Sequence, residues 1–152
     1  MSLDLEIQND TSVSAIPDST DFRRWVSAVL QNQPADVTVR IVDKTDSEFV
    51  NTQFRNKKAP TNVLAFPYLV EGDETLHGDI LICAPIVLEE AEDIGIPVLS
   101  HWAHLTVHAC YHLLGYDHQT KKTAKVMEDL EIKTLSDLGF DNPYEAIDEL
   151  SD

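Results

Sequence analysis

Apolar and polar residues alternate along several short stretches of this chain, and elsewhere apolar residues recur every three or four positions. The first pattern is typical of half-buried strands, and the second of helices that pack one face on a core. Alternation predicts strands over residues 3–7 and 37–41. Between them, helical spacing predicts a helix that packs on the sheet and that Asp18, Ser19 or Thr20 can cap. The apolar face of this helix comprises Phe22, Trp25, Val26, Val29 and Leu30.

The middle of the chain predicts two further strands that pair with each other. A short helical connection with two phenylalanines ends at Arg55, and prolines then bound a third strand over residues 61–67. A fourth strand is predicted over residues 78–83. The turn sequence E-G-D at residues 71–73 lies between them and indicates an antiparallel pair.

The second half of the chain has the spacing of helices. They are predicted over residues 85–94, 97–114 and 122–138, and Gly139 ends the last one. The residues expected to give apolar cover to the second helix are Leu99, Trp102 and Leu113. Those on one face of the last helix are Met127, Leu130, Leu135 and Leu138. An acidic, loose tail is expected from about residue 144.

Composition indicates one domain, residues 1–152, in the cytoplasm. A chain of 152 residues can bury enough surface to fold without disulfides or structural metals. Cys83 and Cys110 form no C-x-x-C pair, and the first residues lack the basic start and apolar core of a signal peptide. No apolar run approaches the roughly 20 residues needed to span a bilayer, so no membrane partner is expected.

The formal charge of −16 argues against a nucleic-acid partner, since phosphate backbones are bound through lysine and arginine. The charge is uneven, however, because Arg55, Lys57 and Lys58 form a small basic cluster in F-R-N-K-K. Taken alone, this cluster is better read as a solvated loop than as an anion site.

The segment H-A-C-Y-H-L-L-G-Y-D-H, from His108 to His118, predicts a metal site. His108 and His112 are four apart, which places both imidazoles on one helix face. Gly115 can adopt the left-handed conformation that ends a helix, so His118 can fold back toward them. Three neutral imidazoles suit zinc and leave the fourth tetrahedral position open, as in catalytic sites. Nickel, cobalt and copper are also compatible.

Neighbouring residues limit the chemistry of this site. Zinc peptidases of the H-E-x-x-H type carry a glutamate after the first histidine as general base, and here that position is Ala109. His104 shares the helix face but lies further from the helix end, so we expect it to line the pocket or support a ligand. Cys110 should face away from the metal as a buried apolar residue.

Three motifs in this order closely resemble the YbeY family of bacterial single-strand endoribonucleases. They are F-R-N-K-K-A-P-T-N-V-L-A-F-P, H-G-D-I-L-I-C and the histidine segment, and the resemblance covers residues 40–144. Ala109 replaces the usual glycine, which still leaves room beside a metal. Ala65 replaces the usual serine and removes a hydroxyl near the cleft.

The resemblance implies a fold and a set of site residues. The fold is α+β: a single small domain with a mixed four-stranded sheet packed with helices and a histidine metal site in a cleft. His108, His112 and His118 would hold one zinc ion, and Arg55 would be the catalytic residue that binds the scissile phosphate or the RNA backbone. Asp117 would orient a histidine ligand, or else cap the turn.

The resemblance also implies an activity and partners. Members cleave single-stranded RNA, process the 3′ end of 16S ribosomal RNA and take part in ribosome quality control. Ribosomal RNA would be the substrate, with a ribosomal protein or assembly factor as partner and no role for DNA. The basic cluster then becomes an RNA-facing rim on a repulsive body. Two alternatives stay open: a non-catalytic ribosome-assembly factor with a structural metal, and a zinc peptidase-like hydrolase.

Overall fold

The computed structural model describes residues 3–68 and 70–151, with side chains 148–151 excepted. The ends of the predicted 1–152 domain, including the last acidic residue of its tail, lie outside the described residues. The strands are β1 (Leu3–Asn9), β2 (Ala35–Val42), β3 (Val63–Tyr68) and β4 (Leu76–Cys83). The helices in the described ranges are α1 (Ser19–Leu30), α2 (Lys44–Arg55), α3 (Ala84–Ile94), α4 (Val98–Leu113), α5 (Lys121–Asp137) and α6 (Pro143–Ser151).

The strands form one mixed sheet in the order β1-β2-β4-β3. The first three are parallel neighbours, and β3 runs antiparallel to β4 with Leu64 opposite Leu81. The predicted four-stranded mixed sheet and its antiparallel pair are therefore confirmed. Because β3 pairs with β4 on one side only, it is an edge strand, and this edge borders the candidate site.

The main core lies between one face of the sheet and helices α1 and α4. Phe22 contacts Trp25 and Trp102 edge-on, and all three side chains are buried. The predicted cover from Trp102 and Leu113 is confirmed, but that from Leu99 is wrong, because its side chain is 45% exposed. Burial on α4 begins only at His101, so the first turn of this helix extends beyond the core.

The opposite face of the sheet carries a smaller apolar cluster under α2. Leu64 and Phe66 of β3 belong to it, together with Val50 of α2. Val63 and Ala65, which alternate with them along the strand, pack against the main core instead. The edge strand β3 is thus covered by α4 on one face and by α2 on the other.

The C-terminal segment is helical, and β4 approaches α4 closely at a glycine. Helix α6 occupies residues 143–151, where a loose tail was expected from about residue 144, and the Tyr144 hydroxyl donates to Glu131 at 2.5 Å. Gly78 of β4 passes so close to α4 that a Cβ there would lie 2.6 Å from Leu113 Cδ2. In the described ranges, no helix is both long and apolar enough to cross a membrane.

Candidate metal centre and cleft

Three histidines converge at the end of α4. One ring nitrogen from each of His108, His112 and His118 lies within 4.8 Å of the other two. Their ring centroids are 4.7 to 5.4 Å apart. The first two rings are partly buried and the third is exposed, so the cluster opens to solvent on one side. This donor set fits a single zinc-like ion, because imidazole nitrogens are ligands that such ions prefer.

The end of α4 brings the third histidine back to the first two. Gly115 has a φ of +103° and follows the last residues of the helix. Its N–H donates to the carbonyl of His112 at 3.0 Å, and the N–H of Tyr116 donates to the carbonyl of Tyr111 at 3.1 Å. This pair of bonds is the Schellman arrangement that closes a helix at a left-handed residue. The chain then reverses, as the sequence predicted, and His118 reaches the cluster.

The local environment keeps His112 neutral. Burial lowers the pKa of this imidazole to about 4, and the neighbouring rings of His108 and His118 add to the effect. At neutral pH the ring therefore has a free nitrogen lone pair, which is the form that binds a metal ion.

A buried carboxylate on α5 supports the cluster, and the sequence reasoning missed it. Glu131 is fully buried. Burial alone would raise its pKa, but hydrogen bonds from His104 and His108 outweigh this and hold the pKa at about 2. The ionised carboxylate can only accept, so His108 donates its Nδ1–H at 2.7 Å. This fixes the tautomer in which His108 Nε2 is free for a metal.

The other carboxylate oxygen of Glu131 is shared by two donors. His104 Nε2 donates to it at 2.9 Å, and the Tyr144 hydroxyl donates at 2.5 Å. Burial, followed by the charge of Glu131, raises the pKa of Tyr144, so this hydroxyl stays protonated. His104 is consequently placed behind the cluster, where it holds the carboxylate that holds His108.

A signal for Glu131 was present in the sequence. It lies four residues after Met127 and four before Leu135, and both of those side chains are buried on α5. A carboxylate in the middle of an apolar helix face must have buried donors. Tyr144 gave no comparable signal, because no local pattern indicates that a residue in an acidic segment will contact α5.

A second histidine–glutamate pair joins α4 to α3, one turn before His104, with the histidine buried and the glutamate partly buried. His101 Nε2 bonds Glu90 at 2.9 Å, and Asn62 Nδ2 donates to the same carboxylate oxygen at 3.1 Å. Burial would raise the pKa of Glu90, but the bonds from His101 and Asn62 lower it overall. Because Asn62 immediately precedes β3, this contact ties the start of the edge strand to α3 and α4.

The histidines open into a cleft of about 480 Å³ that follows the edge strand β3. Arg55, the last residue of α2, lines the same cleft from the other side of β3. Its side chain is exposed, and among the described residues it forms no ion pair. The structure thus brings the predicted arginine and the three histidines to one cavity. Ala65 and Ala109, the two departures from the family motifs, also line it.

The segment between Arg55 and β3 is held by polar side chains of α2. Asn51 Nδ2 donates to the carbonyl of Ala59 at 2.7 Å. The Ser47 hydroxyl donates to the carbonyl of Thr61 at 2.7 Å and accepts from its N–H at 2.9 Å. Both α2 side chains are buried. These bonds anchor the loop that follows Arg55 to α2, including Thr61, which lines the cleft.

The remaining residues that the sequence singled out lie on the exposed loop, in the turn after α4 or in the core. Lys57 and Lys58 are exposed on that loop. The Asp117 carboxylate accepts from the backbone N–H of Gln119 at 3.2 Å, which is the turn-capping alternative considered for it. Cys110 is buried, and burial raises its pKa to about 12. It behaves as a small apolar residue, as expected.

The chain is similar to curated endoribonucleases over nearly its whole length. A family model described as Endoribonuclease YbeY matches residues 6–139. Endoribonuclease YbeY of Methylococcus capsulatus is 48% identical over 147 residues, covering 95% of this chain and 97% of that protein. Endoribonuclease YbeY of Nitrosococcus oceani is 40% identical, covering 97% of this chain and 100% of that protein.

A solved structure shares the fold. The solution structure of a Thermotoga maritima protein matches with a TM-score of 0.55 at 22% identity, covering 87% of this chain and 91% of that one. At this level of identity the likeness concerns the arrangement of strands and helices alone.

Proposed function

Because the chain belongs to the YbeY endoribonuclease family, we propose that it is a zinc-dependent, single-strand-specific endoribonuclease. The proposed role is maturation of the 3′ end of 16S ribosomal RNA and ribosome quality control in the cytoplasm, with a ribosomal protein or assembly factor as partner. The observation that supports it is one cleft lined by three histidines and an arginine. The ribosomal role rests on the family resemblance.

In this proposal His108, His112 and His118 hold one zinc ion. When bound, such an ion supplies Lewis acidity and a water that is deprotonated near neutral pH. The chain's own residues do the rest. Glu131 keeps His108 in the tautomer whose Nε2 would bind the ion, and Ala109 supplies no carboxylate of the kind that peptidases use as a base.

Arg55 is the proposed phosphate-binding residue. A guanidinium carries five donors in a rigid plane that matches two oxygens of a phosphate, and its charge offsets the negative charge that develops there during cleavage. Lys57 and Lys58 extend this positive edge along the loop. The rest of the body is strongly acidic, with a formal charge of −16 for the chain, so RNA is attracted mainly at this rim.

The test is cleavage of a fluorescent single-stranded RNA by the zinc-loaded protein. Arg55→Ala and His112→Ala should each lower the rate at least ~100-fold, the scale expected when a charge-stabilising group is lost. Lys133→Ala removes a distant, exposed cation and should cleave like the wild type. A duplex of the same sequence should remain intact.

Each other outcome has a definite meaning. Equal cleavage by all variants would identify a contaminating nuclease. No cleavage of free RNA or of precursor small ribosomal subunits would favour a non-catalytic assembly factor with a structural metal. Casein cleavage that depends on His112 would favour a peptidase-like hydrolase. Trimming of the 16S precursor within those subunits would support the ribosomal role specifically.

A further inference from the structure

An exposed aromatic ring stands immediately before the cleft arginine. Phe54 is 70% exposed, although it lies in the last turn of α2 beside Arg55. Leaving a large apolar side chain exposed to water is unfavourable, because its burial would stabilise the protein. The exposure of Phe54 at the border of the candidate site is therefore unfavourable in the free protein, and the ring does not pack on the main core.

The ring of Phe54 packs against Phe66, a residue that lines the cleft. It contacts Phe66 of β3, with ring centroids 5.2 Å apart and planes inclined by 57°. Phe66 is partly buried, packs on the small apolar cluster and lines the same cleft as the histidines. The inner ring thus fixes the outer one, and one aromatic surface continues from the cleft to the exposed end of α2.

We propose that Phe54, supported by Phe66, is a stacking subsite for one nucleobase of the RNA whose backbone phosphate Arg55 binds. This inference rests on the proposed nuclease function. Successive phosphates and bases alternate along an RNA strand, and here a guanidinium and an aromatic ring are contributed by adjacent residues. Stacking on such a ring accepts any base, because every base has a π-face.

The subsite supplies a reason for single-strand specificity. Bases in a duplex are already stacked on one another, and the faces that would meet Phe54 are covered. Bases of a single strand are free to turn outward onto an aromatic side chain, which is how single-stranded RNA is commonly bound. The basic loop after Arg55 would follow the backbone, and Phe54 would select unpaired bases.

Phe49 gives a matched control on the same helix. It is 65% exposed, close to the value for Phe54, but five residues earlier and therefore about 140° around the helix. Neither ring itself lines the histidine cleft, but Phe54 contacts Phe66, which does, whereas Phe49 makes no such ring contact among the described residues. Replacing either residue removes the same exposed apolar area, so only a specific role near the cleft will separate the two variants.

The test is the affinity of zinc-loaded protein for a short, fluorescent 2′-O-methyl RNA, measured by anisotropy. Phe54→Ala should weaken binding about 5- to 10-fold, the lower end of the range for stacking on an exposed ring. Phe54→Tyr should bind like the wild type, Phe54→Leu should resemble Phe54→Ala, and Phe49→Ala should change affinity less than about twofold. Thermal unfolding should be unaffected in all four, because these side chains lie mostly outside the core.

An RNA series with one base removed at successive positions provides the readout that a merely structural role would not move. At one position, loss of the base should weaken wild-type binding as much as Phe54→Ala does, and should leave the variant's affinity unchanged. The subsite is refuted if Phe54→Ala binds every RNA with wild-type affinity. It is also refuted if the substitution lowers the affinity for every base-free RNA as much as it lowers the affinity for the intact RNA. Absence of cleavage of both free RNA and precursor small ribosomal subunits by the wild type would refute the nuclease proposal separately, since the binding comparison does not require cleavage.

Discussion

Replacing the buried carboxylate of Glu131 by an amide should weaken metal binding without removing any of the three candidate ligands. In the protein, His104 and Tyr144 donate to one carboxylate oxygen and His108 donates to the other. Glutamine keeps one acceptor oxygen and turns the second position into an NH₂ donor. If the oxygen continues to serve His104 and Tyr144, the NH₂ faces His108 Nδ1.

The clash between these two donors should weaken the candidate metal site. Two donors cannot bond each other, so His108 must carry its proton on Nε2 and present the Nδ1 lone pair to the amide. The nitrogen that faces the other two histidines is then protonated. Loss of such an orienting partner typically costs 10- to 100-fold in metal affinity, which is about 1.4 to 2.7 kcal/mol. The loss of charged hydrogen bonds should also lower the free energy of unfolding by about 1–3 kcal/mol.

The assay is zinc competition with a chromophoric chelator, together with thermal unfolding with and without zinc. Asp129→Asn makes the same acid-to-amide change on the same helix, at an exposed carboxylate paired with Lys125, and should bind zinc like the wild type. Tyr144→Phe removes one donor but leaves the carboxylate, so its zinc affinity should fall less than about threefold. A folded Glu131→Gln protein with wild-type zinc affinity would refute the tautomer argument.

Two further predictions concern the turn after α4 and the response to acid. Gly115→Ala places a Cβ at φ +103° and should lower both stability, by about 1 kcal/mol or more, and zinc affinity, because it displaces the third histidine. Gly72→Ala strains a similar glycine in the β3–β4 turn, at φ +79°, and should lose stability alone; equal zinc affinities for the two variants would contradict the proposed role of the turn. In metal-free protein, stability to urea should fall as pH drops from about 6.5 toward 4. Over that range unfolded His112 binds a proton that its folded form, with a pKa of about 4, excludes. The contribution of His112 to this slope cannot exceed ~1.4 kcal/mol per pH unit, because it binds one proton, and a flat profile would show that His112 is not desolvated.

Local patterns in the sequence were sufficient for most of the fold. Alternation identified the first two strands, prolines bounded the third, and the E-G-D turn before the fourth indicated the antiparallel pair to which β3 belongs. Gly115 was identifiable because few residues other than glycine can end a helix in the left-handed conformation. Leu99 shows the limit of such reasoning, because periodicity gives the face of a helix but not where along its length the core begins.

The histidine and arginine positions came from motifs, whereas their support came from tertiary contacts. His108 to His118 is a local segment, and its spacing already indicates a cluster. Glu131 is twenty-three residues away from His108 along the chain, and only the packing of α5 on α4 brings them together. Tyr144 was assigned to a loose tail because its segment is acidic, and composition does not reveal contacts with other helices such as those with Glu131 and His104.

The Tyr144–Glu131–His108 chain also bears on the order in which the protein is made. Synthesis proceeds from the N-terminus, so Arg55, β3 and the three histidines leave the ribosome before the side chains of α5 and α6 that orient His108. A nascent chain that has exposed only the histidine segment still lacks the carboxylate that accepts from His108 Nδ1. The contacts that set the tautomer of His108 are therefore complete only once the chain has been synthesised through residue 144.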